Sequence, residues 1–455
     1  MVLSLEKSPL VLANAWHGLG KCCMEQGKFS TAIEDYENAL SYLDCRVPDK
    51  PFGLLMSGLK SELMLHFCKR RSINTESKKF KKIEARVRIL TTLTKAYFLT
   101  ASEKLYWSAL ADYVQALRLA DCDAAVTAIA NFAAICSIKE KKATAMKIYE
   151  SDDLSDRQLS VRSSAFSNFC LALNCLNTDK LNQARALAFH SRSYYESSRE
   201  PWELMNVTAI LGLVTFMTCD LEQSYEITKS LKTLSQRYHS AMTIGWSLGL
   251  IPFMKYLQGK ISAEIACTQI ADGILFSECV QDHAYLAISY SSLAYIARMN
   301  GNYDDALIYA KKIFDEYSKA QMKMNIFVAP VEEGIVALLS VLKHGNVEKS
   351  EESKIKKLIS NGTKILKKEA GSSLLVKALY SRALSAIALA DGRAEEAKSE
   401  CNKAIEILGK SEYALELLKT YAFACNNKIL AKESIMEKAK ELIEKGSISE
   451  QALFK

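Results

Sequence analysis

Proline and glycine are scarce in this chain, with 6 and 18 copies among 455 residues. Both residues punctuate strands and loops, so their scarcity favours long, uninterrupted helices. The 13 cysteines include no CxxC pair, and an odd number cannot pair completely. Most lie in apolar helical runs such as Phe169-Cys170-Leu171 and Ile265-Ala266-Cys267, where a free thiol acts as a small hydrophobe. Reduced cysteines in a cytoplasmic protein are the expectation. No run of about 18 apolar residues occurs, so no membrane span is expected. The opening residues lack a charged segment leading into an apolar core, so no secretory signal is expected.

Catalytic signatures are missing as well. The histidines at 17, 66, 190, 239, 283 and 344 form no HExxH and no short His/Cys cluster of the kind zinc requires. There is no GxSxG elbow. Two phosphate-loop near misses fail on composition: Gly20-Lys21 is followed by Cys22 and has Ala15 at the first glycine position. Gly409-Lys410-Ser411 has Ala404 there. The sequence therefore offers no catalytic, cofactor-binding or metal-ligating residue, and the chain is expected not to be an enzyme.

The charge that is present is uneven. Net charge is +7, and the stretch Lys69–Arg88 alone supplies it, with nine basic residues against Glu76 and Glu84. Lys69, Arg70, Arg71, Lys78, Lys79, Lys81 and Lys82 are its candidate interaction residues. A solvated loop and helix face is one reading, docking to an acidic protein surface a second, and nucleic acid or anionic lipid a third. Phe80 is the only aromatic in this window, so base stacking has little support and nucleic acid is not favoured.

Internal repetition carries the fold. From Ala13 as position 1, Trp16, Leu19 and Gly20 fall at positions 4, 7 and 8, and Ala32, Tyr36 and Ala39 at 20, 24 and 27. This is the tetratricopeptide pattern. Small residues at 8, 20 and 27 let two antiparallel helices approach, large ones fill the space between hairpins, and Gly27 belongs to the turn. The pattern returns around Asn300-Gly301-Asn302, Asp391-Gly392-Arg393 and Thr218-Cys219-Asp220. Weaker copies surround Asp179 and Gly259. Turns near 179, 219, 259, 301, 345 and 392 are 40 to 47 residues apart, more than the ~34 of a standard unit. The fold class is therefore an all-α solenoid of tetratricopeptide-like hairpins with long, irregular repeats and no sheet. Pro201 suits a first helical turn, Pro252 is expected to kink its helix, and Pro330 reads as a helix start.

Three parts are expected: a first hairpin over 1–44, an insert over 45–82 with a helix near Phe52–Cys68 and the basic stretch, and a continuous solenoid over 83–455. Only nine residues precede the first hairpin, so its outer face, around Trp16, is expected to be covered by a partner protein or an upstream domain. The charged helix near Glu433–Lys445 reads as a polar cap. Among the 20 tyrosines, Tyr194 and Tyr195 are candidates for a concave binding face.

Three segments together resemble one family. They are the opening hairpin with its Pro-containing break and Phe67-Cys68-Lys69-Arg70-Arg71; Arg86-Val87-Arg88 through Thr94-Lys95-Ala96-Tyr97-Phe98 to Ala116-Leu117-Arg118-Leu119-Ala120; and Arg199-Glu200-Pro201-Trp202-Glu203 before Leu211-Gly212. They look like the helical-repeat tail of class III adenylyl or guanylyl cyclases fused to AAA-type ATPase modules, the soluble adenylyl cyclase type. The resemblance spans residues 10 to 340 and implies no catalysis, because no cyclase or ATPase motif is present. It implies a protein-interaction or regulatory scaffold of a signalling assembly. The alternative is the regulatory tail of such a multidomain cyclase.

Overall fold

The computed structural model describes residues 8–26, 28–67, 75–100, 102–119, 122–138, 144–145, 147–148, 160–198, 200–320, 324–345 and 347–454. Among the described residues there are helices and turns and no strand, an all-α helical-repeat solenoid. The helices are α1 (Pro9–Glu25), α2 (Phe29–Tyr42), α3 (Pro51–Phe67), α4 (Lys78–Leu99), α5 (Leu105–Ala116), α6 (Asp123–Ile138) and α7 (Val161–Asn177). There follow α8 (Leu181–Ser197), α9 (Pro201–Met217), α10 (Leu221–Arg237), α11 (Ala241–Leu257), α12 (Ala263–Cys279), α13 (His283–Met299) and α14 (Tyr303–Lys319). The chain ends with α15 (Asn325–His344), α16 (Lys349–Glu369), α17 (Leu374–Ala390), α18 (Ala394–Gly409), α19 (Ala414–Asn426), α20 (Lys432–Gly446) and α21 (Glu450–Leu453).

Long helices, not long loops, set the repeat length. From α7 to α14 every helix has 17 residues, against 14 in α2. Thr218-Cys219-Asp220 shows how little chain joins them. Thr218 caps α9, Cys219 takes a left-handed φ of 63°, and the Asp220 carboxylate accepts from the Gln223 amide at the start of α10. Asn300-Gly301-Asn302 repeats the device, with Gly301 at φ 72° and the Asn302 side chain accepting from Asp305 N. Two 17-residue helices and two such links give a 40-residue period.

Prolines behave in two ways. Pro201 stands in the first turn of α9, as its missing N–H requires. Pro330 does not start a helix: α15 begins at Asn325 and runs through it, as α11 runs through Pro252. The signal misleads at Pro330 because Ile326, Phe327 and Val328 upstream are buried, and their packing holds the helix together.

The chain divides into two compact units, one of residues 1–174 with 193–197 and the other of 175–192 with 198–455. In the first unit α1 pairs with α2, α2 packs on α4, α4 on α5 and α6, and α3 lies on α5. Gly20 is where the helix pair depends on a missing side chain: a Cβ there would come within 2.5 Å of the Tyr36 ring, which is buried.

In the second unit consecutive hairpins stack from α9 onward, with α11, α13, α15 and α17 packed in series. The turn after α7 anchors distant chain. Asp179 accepts from the Ser373 hydroxyl at 2.8 Å, the Leu374 amide at 2.7 Å and the Tyr413 hydroxyl at 2.8 Å. Asn182 donates twice to Glu412, each at 2.7 Å. By length and composition α15 could cross a membrane, but 72% of its apolar window is buried inside the protein, and it carries Glu332 and Glu333.

Candidate interaction surface

The expected site residues fall in the first unit. Lys69, Arg70 and Arg71, like Gly27, lie outside the described residues. Lys78, Lys79, Lys81 and Lys82 occupy the first two turns of α4, whose N-cap is Ser77, its hydroxyl accepting from Phe80 N at 3.1 Å. Phe80 itself points into the core. Lys82 pairs with Asp44 and Lys81 with Glu76 at 3.8 Å, whereas Lys78 and Lys79 form no ion pair among the described residues.

Trp16 lies on α1. It is half-buried, and its indole N–H is shielded from water with no hydrogen-bond partner. Val11 and Leu19 beside it are 41% and 45% exposed. The inward part of α1 is fixed by Gly20 against Tyr36 and by His17, whose Nε2 lies 3.0 Å from the Thr92 hydroxyl of α4. Burial, and then Lys21 and Arg88, push the His17 imidazole down to about 3, so it is neutral there.

One surface escaped sequence reasoning. Helix α3 turns its small residues Gly53, Ser57, Gly58 and Ser61 toward the protein, and the Trp107 indole donates to the Ser57 hydroxyl at 3.0 Å. Its large residues Phe52, Leu55, Met56, Leu59 and Leu63 face out, each between 47% and 73% exposed. The signal was present as apolar residues at i, i+3, i+4, i+7 and i+11. Periodicity alone reads such a stripe as buried, so the outward orientation was not legible.

The concave-face expectation needs correction at Tyr195, which is fully buried; Tyr194 is half-buried. In the second unit residues 448–454 pack onto the hairpins. Ser449 N donates to Leu257 O at 2.8 Å, the Tyr295 hydroxyl to Ala452 O at 3.2 Å, and Asn426 Nδ2 to Leu453 O at 2.8 Å. Ile448, Leu453 and Phe454 are buried there. A residual cavity of about 120 Å³ between α9, α11, α13, α15, α17 and α19 is walled by apolar side chains and by Glu332, Glu333, Arg382, Glu416 and Lys419. These charges are spent on one another. Arg382 bonds Glu332 at 2.7 Å and Glu416 at 2.8 Å, Lys419 bonds Glu416 at 2.8 Å, and Arg298 bonds Glu333 at 3.0 Å. Burial would raise the Glu416 carboxyl, but Lys419 and Arg382 hold it at about 2.

No grouping of three or more His, Cys, Asp or Glu able to hold a metal occurs among the described residues. Five of the 12 described cysteines are buried. His283 contacts Glu316 at 2.7 Å and His344 stacks on Tyr303.

Comparison with known proteins agrees with the first hairpin and goes no further. No curated protein matches the chain. Residues 13–42, which span most of α1 and α2, match the tetratricopeptide repeat, a motif that commonly mediates protein interaction.

Proposed function

We propose that this chain is a non-catalytic protein-interaction scaffold whose first hairpin docks a helical element of a partner. The observation that carries this is the outward face of α1. It leaves Val11 and Leu19 exposed, although the same hairpin matches a repeat made for stacking on a further helix. A partner helix laid there buries the two aliphatic side chains. The test compares proteins retained from native cells by the full chain and by its Val11→Asp/Leu19→Asp variant. Both side chains are exposed, so the variant should melt like the parent while losing a defined partner set. An unchanged set would sink the proposal.

The assembly we infer is a cytoplasmic signalling complex of the cyclase/ATPase type. The support is the resemblance of the three segments between residues 10 and 340 to the tails of such cyclases. If that is the setting, a class III cyclase or AAA-type ATPase should be among the proteins lost with the variant. The alternative, that the chain acts as the regulatory tail of such an enzyme, predicts that these modules are encoded in frame ahead of Met1.

A further inference from the structure

Helix α3 is inside out for a helix on a protein surface. Its five exposed apolar side chains fall within about 100° of the helix circumference. Together they present on the order of 500 Å², near the top of the range for the largest apolar patch on a soluble monomer. Nothing among the described residues covers them. The opposite face, where the Ser57 hydroxyl accepts from the Trp107 indole, packs against α5, so the stripe is held outward by packing.

Charge says what kind of surface this fits. Lys50 precedes the helix, and Lys60 lies at the edge of the stripe, where its stem can lie along apolar neighbours with the ammonium in water. Lys78, Lys79, Lys81 and Lys82 follow at the start of α4. The described acids of this stretch are Asp44, Asp49, Glu62, Glu76 and Glu84, of which Asp44 pairs with Lys82, Glu76 with Lys81 and Glu84 with Arg88. Lys50, Lys60, Lys78 and Lys79 form no ion pair there. The lysines of α4 stand at the positive end of its dipole, where cations weaken a helix, so fold stability does not account for them.

We propose that α3 and the first turns of α4 form a peripheral docking surface for an anionic lipid bilayer. Phe52, Leu55, Met56, Leu59 and Leu63 enter the boundary between headgroups and acyl chains, and the lysines meet lipid phosphates and carboxylates. An outward ridge of long apolar side chains, with Lys50 and Lys60 on the same helix or just ahead of it and Lys78 and Lys79 following in the chain, is the pattern of a helix lying in a membrane interface. The stripe is smaller than the ~800 Å² per partner that a standard protein interface buries, which disfavours a second copy of the chain as its occupant. This surface is separate from the α1 face and does not depend on the reading given to it.

The test is co-sedimentation of the full chain with vesicles of phosphatidylcholine alone and of three parts phosphatidylcholine to one part phosphatidylserine, at about 0.1 M and 0.5 M salt. Binding is expected only to the serine-containing vesicles, and to weaken at the higher salt. Leu55→Gln/Leu59→Gln and Lys78→Glu/Lys79→Glu should each reduce it by about tenfold or more. The leucine pair is exposed, so its variant should melt with the parent. The lysine pair, changed to acids at a helix N-terminus, should melt at or above it, so neither loss can be charged to unfolding. Equal binding to both vesicle types, no binding to either, or binding that survives the leucine substitutions overturns the proposal. So does a dimer dispersed by the leucine substitutions without vesicle binding, which assigns the stripe to a second copy. RNA binding lost with the lysines but not the leucines, again without vesicle binding, overturns it in favour of nucleic acid.

Discussion

Two buried titratable side chains give the first unit opposed responses to pH. His17 is neutral when folded because burial, with Lys21 and Arg88, lowers it to about 3. The unfolded chain takes up a proton below about pH 6.5, so this term is present above that pH and is lost as pH falls. Its cost at pH 5 is about 2 kcal/mol. Asp112 is fully buried, accepts from the Thr91 hydroxyl at 2.7 Å, and is raised well above the carboxylate range by burial, against the pull of that hydrogen bond. Its term is present below about pH 4 and is lost as pH rises toward the folded value. The variants separate the two. With His17→Gln the urea midpoint of the first unit should fall from pH 5 to pH 7. With Asp112→Asn it should rise over the same interval.

At the scale of elements, the three-residue links carry a backbone cost that depends on residue type. Gly301 adopts φ 72°, and a Cβ there would meet nothing within 4 Å. Gly301→Ala therefore isolates the left-handed penalty and should cost about 1–2 kcal/mol in a denaturation midpoint. Gln281 holds the same region at φ 55° in the link between α12 and α13, and its side chain is exposed. Gln281→Gly should accordingly stabilise by up to about 1 kcal/mol. If both substitutions moved stability the same way, backbone strain would not be what these links share.

At the scale of the molecule, contacts between residues far apart in sequence close the second unit on itself. Arg382 joins α17 to Glu332 on α15 and Glu416 on α19, all three largely buried. Arg382→Met leaves Glu332 buried and unpaired and should cost about 3–5 kcal/mol, and adding Glu332→Gln should recover part of the loss. Phe454 is buried against the hairpins near the chain's end. Phe454→Ala should cost about 3 kcal/mol, read as a lower melting temperature of the second unit. A silent Phe454→Ala would mean that the end segment does not contribute to this unit's core.

What the sequence determined by itself was local. The spacing of Gly20, Ala32, Tyr36 and Ala39 defined a hairpin, because each demands small or large volume at a helix crossing. The spacing of Cys219, Gly259, Gly301 and Gly392 placed the links, because a tight link needs a left-handed residue. Tertiary structure alone decided which side of each element faces water. Phe52, Leu55, Met56, Leu59 and Leu63 have the periodicity of a core face. They point outward because α3 packs on α5 through its opposite face, where the Ser57 hydroxyl accepts from the Trp107 indole. Tyr195 and Phe80, which composition could have placed on a binding face, are in the core for the converse reason, that neighbouring helices close over them. Helical period reports that one face differs from another. Which face is buried depends on the partner helix, and that is set by residues far away in the chain.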